Sequence, residues 1–290
     1  MDLANYRLVI TDLDGTLVEY GTDYLTPAIK DAVAQLRQAG AQFTIATGRS
    51  WKKTRQIARE LGVTVPVIVQ AGAIVMDPVT ETVLQMTPLR PELAIQLQEL
   101  SGAGMVDHFC LDESGAYFSA AVQTPGGKWL SQSSGEQCSL ATLGNLKCTM
   151  VKHMFIGAEK EVKTLSERIL QTIKPQPHLI LWPPDREAYD WFLEAFDPKA
   201  SKGQALQWLA NRMQLPMKQI IAFGDGHNDL DMLNFAGLGV AMAEAPEPVR
   251  SLSDLVIPGP LFNGMAQFLT GQINGKQPLQ HGNGTAISGS

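Results

Sequence analysis

Short apolar runs alternate with helically spaced apolar residues at both ends of the chain. Leu8, Val9 and Ile10 form a continuous run, which predicts a strand buried on both faces. Thr26 suits an N-cap, Pro27 a first helical position and Gly40 a stop, with Ile29, Ala32, Val33 and Leu36 at helical spacing between them. Residues 43–46 read as a second strand, 50–61 as a helix stopped by Gly62, and 65–69 as a third strand. This β-α-β-α-β rhythm predicts a parallel sheet covered by helices. The rhythm returns late in the chain. There, 202–213, 230–236 and 262–269 read as helices, and 220–223, 238–242 and 255–257 as strands.

The middle follows another pattern. Residues 91–100 and 158–173 are helical in spacing, while 106–111, 117–122, 150–156, 179–182 and 188–196 read as strands. Runs of this kind predict an α+β unit with an antiparallel sheet. Pro88 and Pro198 lie near its ends, as linker residues often do. The expected organisation is a discontinuous α/β core, residues 1–86 and 196–271, holding an inserted unit, 87–195. Residues 272–290, with only isolated apolar positions, are expected to form a flexible tail.

Composition narrows the function. At 290 residues the chain is at the size where a single hydrophobic core stops growing, which favours two domains over one. It is 44% hydrophobic and carries 23 Lys plus Arg against 29 Asp plus Glu, net −6. A mildly acidic chain without a basic run disfavours nucleic acid and anionic membranes as partners. No apolar stretch reaches a membrane span, and the N-terminus has no signal-like core, so a cytoplasmic protein is expected. Three cysteines without a CxxC disfavour a disulfide framework and a zinc site. Cys110, Cys138 and Cys148 all fall in the inserted unit and read as packing thiols.

The candidate chemistry sits just after predicted strands, where open α/β sheets bind ligands. Asp12-Leu13-Asp14-Gly15-Thr16 follows the first strand, and by itself reads equally well as a turn. Gly224-Asp225-Gly226-His227-Asn228-Asp229 follows a later one. If those strands are neighbours, three or four carboxylates converge; two such charges 4 Å apart repel by about 4 kcal/mol at an effective dielectric of 20. An all-oxygen set favours a hard cation, Mg²⁺ where phosphate is also bound. Alternatively, Asp229 only caps the following helix. Thr47-Gly48-Arg49 precedes a helix and can hold phosphate oxygens. Lys202 opens a helix, against the macrodipole, which fits an anionic ligand or a solvated surface.

These four elements, in this order, resemble the signature of the haloacid dehalogenase-like (HAD) superfamily. The long insert resembles a type 2 cap of the Cof-type, or IIB, subfamily. The resemblance implies an α/β fold: a Rossmann-like core with a mostly parallel sheet, and an α+β cap. It implies a Mg²⁺-dependent phosphomonoester hydrolase acting on a small phosphorylated metabolite such as a sugar phosphate. Asp12 would be the nucleophile and Asp14 the general acid and base. Thr47, Gly48, Lys202 and Asn228 would hold phosphate. Asp12, Asp14, Asp225 and Asp229 would hold the metal, Asp14 through its carbonyl.

Two residues depart from the family pattern. Ala71 stands where Asn is usual, and Glu244 where the family often reads Asn. A phosphomannomutase-like phosphotransferase and a phosphosugar-binding regulatory module remain alternatives. In the insert, His108, Asp112, Lys128, His153, Asp185, Arg186 and Tyr189 are polar candidates for leaving-group contacts. Surface or satisfied strand positions are the commoner explanation for each. Trp129, Trp182 and Trp191 read as packing residues, and His227 as a bystander.

Overall fold

The computed structural model describes residues 5–101, 106–113, 115–119, 121–132, 138–140, 148–184 and 190–271. In chain order the elements are β1 (Leu8–Thr11), α1 (Pro27–Gln38), β2 (Gln42–Ile45), α2 (Trp51–Glu60), β3 (Val67–Val69), β4 (Ile74–Met76) and β5 (Val83–Met86). Next come α3 (Pro91–Ser101), β6 (Asp107–Asp112), β7 (Tyr117–Ser119), α4 (Pro125–Gln132), β8 (Cys138–Leu140), β9 (Met150–Gly157), α5 (Glu159–Thr172), β10 (His178–Trp182) and β11 (Trp191–Phe196). The chain then forms α6 (Lys202–Arg212), β12 (Ile220–Gly224), α7 (Leu230–Phe235), β13 (Leu238–Met242), α8 (Glu247–Leu252), β14 (Leu255–Ile257) and α9 (Gly264–Leu269). Among the described residues no helix is long and apolar enough to cross a membrane.

Two compact units emerge. The first holds the described residues of 1–47, 55–65 and 206–290; the second holds 48–54 and those of 66–205. The first unit is built on a sheet of order β14-β13-β12-β1-β2, parallel throughout. Its centre explains the apolar runs: every residue of β1 and β12 is buried. Burying one such aliphatic side chain stabilises by roughly 1.5–3 kcal/mol. At the start of α1, the Thr26 hydroxyl oxygen accepts from the Ile29 amide at 3.3 Å, as the capping pattern predicts.

The second unit contains a sheet of order β10-β11-β9-β6-β7-β8, antiparallel except for the β7–β8 pair. One face is apolar. Phe155, Leu193 and Ala195 pack there with Leu93 and Leu97 of α3 and Val162, Leu165 and Ile169 of α5. Strand alternation turns Lys152 and Glu194 to the opposite face.

One expectation is overturned. The third predicted strand does not extend the parallel sheet. β3 pairs antiparallel with β4, and β4 with β5, in a separate three-stranded sheet. The chain folds straight back where Gln70 and Ala71 adopt left-handed backbone, with φ of 49° and 52°. β4, β5, α4, β8 and α8 were not anticipated. The start of the 188–196 strand and the 272–290 tail lie outside the described residues.

Candidate active site

The first sheet has a topological switch between β1 and β12. From β1 the chain proceeds to β2 on one side, and from β12 to β13 and β14 on the other. Ligands bind such sheets outside the carboxyl ends of the strands at this point. Asp12 follows β1 directly, and its amide donates to the Phe223 carbonyl at 2.9 Å. Asp225 follows β12. Parallel pairing, with Thr11 opposite Phe223, brings both carboxylates to one edge.

Asp229 joins them. Each of Asp12, Asp225 and Asp229 offers a carboxylate oxygen, and these atoms all lie within 4.8 Å of one another. The three residues are only 7%, 7% and 0% exposed, so water screens their mutual repulsion poorly. One Asp229 oxygen, Oδ2, accepts from the Asp225 and Gly226 amides at 3.1 and 2.9 Å. Asp229 therefore shapes the loop that presents Asp225 as well as adding charge. Three buried oxygen donors gathered this closely are the kind of set that a hard divalent cation takes. Asp14, half-buried beside them in sequence, is not part of this carboxylate group.

Thr16, which ends the first motif without an assigned role, and Tyr20, which lies outside the motifs, hold Asp225. The Thr16 hydroxyl donates to its Oδ1 at 2.7 Å, and the Tyr20 hydroxyl to its Oδ2 at 2.5 Å. Burial first, and then the Asp225 charge, push the Tyr20 phenol pKa up, so Tyr20 remains a donor at neutral pH. Gly15 makes room for this pair. Its φ is +79°, and a Cβ there would stand 2.4 Å from Asp225 Oδ2 and 2.5 Å from the Tyr20 ring. Gly15→Ala is expected to lose about 2–4 kcal/mol of stability, from left-handed strain and overpacking. It should also weaken divalent-cation binding; urea melts and calorimetric titration check the two effects.

The remaining predicted residues are placed within their own units. In the first, Thr47 and Asn228 are buried and His227 is exposed. Glu244 lies against the loop before α9: a Cβ on Gly259 would meet its Oε2 at 2.5 Å. In the second, Lys202 is the first residue of α6 and is fully buried. Its backbone is seated against the β3–β4 turn. A Cβ on Gly72 would stand 2.1 Å from the Ser201 carbonyl carbon and oxygen. Ala71 in that turn carries a left-handed conformation that costs an ordinary L-residue roughly 1–2 kcal/mol and that Asn tolerates better. The departure from the family pattern is thus a departure in backbone cost.

The polar face of the second sheet adds further residues that sequence reasoning did not single out. Lys152 and Glu194 form a buried ion pair, and Trp182 Nε1 donates to Glu194 Oε2 at 3.0 Å. Trp182 Cζ2 is 3.8 Å from where a Gly48 Cβ would stand. Trp129 meets Phe192 edge-on, and Lys163 lies over the Trp191 ring. Lys128 is exposed, and Asp112 accepts from the Ala116 amide. His108 and His153 turn to each other. Asp185, Arg186 and Tyr189 lie outside the described residues.

Known proteins resemble the chain over most of its length. Pyridoxal phosphate phosphatase YbhA of Escherichia coli (strain K12) is 27% identical over 271 residues, 91% of this chain and 97% of that one. The 5-amino-6-(5-phospho-D-ribitylamino)uracil phosphatase YitU of Bacillus subtilis (strain 168) is 26% identical over 269 residues, 90% and 96% of the two chains. Among solved structures, the HAD subclass IIB sugar phosphatase BT4131 superposes with a TM-score of 0.74 at 20% identity, over 92% of this chain and 98% of that one. The sequence matches the family model of haloacid dehalogenase-like hydrolases over residues 9–269, and with its parallel sheet and separate antiparallel sheet the chain belongs to that family.

Proposed function

We propose that the chain is a Mg²⁺-dependent phosphatase that hydrolyses phosphomonoesters of small metabolites through an aspartyl-phosphate on Asp12. The observation that carries this reading is the convergence of Asp12, Asp225 and Asp229 at the carboxyl edge of the parallel sheet, at its switch point. Both full-length relatives described above are phosphatases of small phosphorylated metabolites.

In the first step an Asp12 oxygen attacks phosphorus, and the bond from phosphorus to the ester oxygen breaks. Asp14 protonates the departing alkoxide. In the second step water attacks the phosphorus of the acyl phosphate, Asp14 takes its proton, and inorganic phosphate leaves. Asp12 returns as a carboxylate. Splitting one hard displacement into two lowers each barrier.

Asp12, Asp225 and Asp229, with the Asp14 carbonyl, would hold the Mg²⁺. When bound, that ion supplies positive charge against a phosphoryl group carrying about −1.5 to −2. Thr16 and Tyr20 hold the Asp225 carboxylate in place before any cation arrives. Thr47, Gly48, Lys202 and Asn228 take the phosphate oxygens, by the motif positions they occupy. Fixed donors of this kind stabilise charge that grows in the transition state.

The test is a phosphate-release panel over sugar phosphates, nucleotides, pyridoxal phosphate and flavin mononucleotide, run with Mg²⁺ and with EDTA. The expected result is Mg²⁺-dependent release from a subset of the panel, abolished by EDTA. Release that persists in EDTA overturns the metal assignment. Isomerised sugar phosphate without free phosphate would establish a mutase instead.

A further inference from the structure

We propose that His108, Cys110 and His153 form a zinc-binding site within the antiparallel sheet of the second unit, separate from the carboxylate cluster. Sequence spacing conceals this set because strand pairing assembles it. His108 and Cys110 are two apart on β6 and share a face. On β9, His153 is the direct partner of Cys110, and Phe155 of His108. Three soft or borderline ligands thus meet on the helix-covered face.

The distances suit one tetrahedral ion. His108 Nε2 is 3.1 Å from His153 Nδ1, and Cys110 Sγ is 3.9 Å from His108 Nε2. All three ligand atoms lie within 4.8 Å of one another. Two nitrogens bound to tetrahedral zinc at ~2.05 Å stand about 3.3 Å apart, and a nitrogen and a sulfur at ~2.3 Å stand about 3.6 Å apart. The two separations from His108 therefore lie within a few tenths of an ångström of the tetrahedral values, and the third pair is within 4.8 Å. A mixed nitrogen and sulfur set selects zinc over Mg²⁺, which takes oxygen ligands.

The surroundings prepare the ligands. The Ser101 hydroxyl donates to the Gln98 carbonyl at 2.8 Å, which leaves its lone pairs to accept from His108 Nδ1 at 3.4 Å. That contact puts the His108 proton on Nδ1 and aims the bare Nε2 at the cluster. Outer partners of this kind orient metal-binding histidines. The Phe155 ring stacks on His108 at 4.6 Å between centroids, fixing the ring plane. Burial lowers the His108 pKa to about 4, and burial followed by the His108 neighbour takes His153 well below its usual value. Both imidazoles are therefore neutral, the form that ligates.

Cys110 is pushed up to about 12, by burial and then by the Cys148 thiol, which places a further sulfur in the neighbourhood. On zinc binding the Cys110 thiol proton leaves to solvent, and the His153 ring proton moves from Nδ1 to Nε2. The ion ties β6 to β9. It takes no part in phosphate chemistry.

The test uses the full chain, stripped with EDTA, returned to excess Mg²⁺ and titrated with Zn²⁺ or Co²⁺. One equivalent of zinc is expected to survive desalting in excess Mg²⁺. The cobalt form should show a thiolate-to-metal charge-transfer band. Cys110→Ser, a change of one atom, should abolish that band and weaken zinc binding by about 100-fold or more. His153→Gln should weaken it likewise, and Asp225→Asn should leave both readouts unchanged. Zinc lost from the wild-type chain on desalting, or a band that persists in Cys110→Ser, overturns the proposal. So does a zinc equivalent that disappears in Asp225→Asn.

Discussion

Asp12→Asn is expected to lower the turnover of phosphate esters by at least ~10⁴-fold while the chain stays folded. The amide is nearly isosteric with the carboxylate but cannot open the displacement at phosphorus. No neighbouring carboxylate replaces it. Asp229 spends one oxygen on two backbone amides, and both oxygens of Asp225 accept from hydroxyls. The substitution also removes one charge from three that are nearly buried. In EDTA, with no cation present, the variant should therefore melt at least as high as the wild type. The paired measurement is phosphate release in Mg²⁺ and a thermal melt in EDTA. Mg²⁺-dependent turnover retained by the variant would sink the nucleophile assignment.

The second large effect concerns stability. Lys152 and Glu194 are 3% and 7% exposed at the side chain and bonded to each other, with Trp182 on the second carboxylate oxygen. Removing one member strands a buried charge, which costs about 3–5 kcal/mol. Lys152→Met or Glu194→Gln should therefore lower the melting temperature by about 6–20 °C. The double variant Lys152→Met/Glu194→Leu leaves no stranded charge and should recover most of that loss, short of the bond Trp182 gives up. Equal destabilisation in the single and double variants would refute this account.

Alkali acts on the same pair. Burial alone lowers the Lys152 pKa, but the Glu194 charge, followed by Tyr117, outweighs it and raises the value in the folded state. A raised lysine contributes stability that is fully present below the unfolded value. It is lost as pH climbs through the folded one. The pair therefore holds across neutral pH and gives way only in alkali.

What could be read from the sequence follows from the range of the interactions. Asp12 and Asp225 were legible because each follows an apolar run, and strand ends are where such sheets bind ligands, and Asp229 because it falls one helical turn after Asp225. Thr16 and Tyr20 were not, because their role depends on Asp225 lying across a strand pair about 200 residues away along the chain. The short hairpin strand β4 was hidden in a near-continuous apolar stretch, 63–76, and β5 is a four-residue run beyond it. Nothing local distinguishes a third parallel strand from one that turns back at Gln70 and Ala71. Ala71 makes that turn against its own propensity, so the packing of the turn on Ser201 decides the conformation. Lys152 and Glu194 read as ordinary strand charges until pairing placed them on one buried face. Cys110 and His153 likewise became partners only through register.

The strand order of the first sheet has a consequence for how the chain is made. β1 leaves the ribosome well before its partner β12, which comes about 200 residues later, a delay of roughly 10–40 seconds at ordinary rates of synthesis. Until then β1 can pair with β2 alone, and its other edge is an open, apolar template for stray strands. Residues 66–205 emerge in one stretch and can assemble their sheets during that wait. Nascent chains stalled before β12 would be the most aggregation-prone species this gene product forms, and holdase chaperones would find their target there.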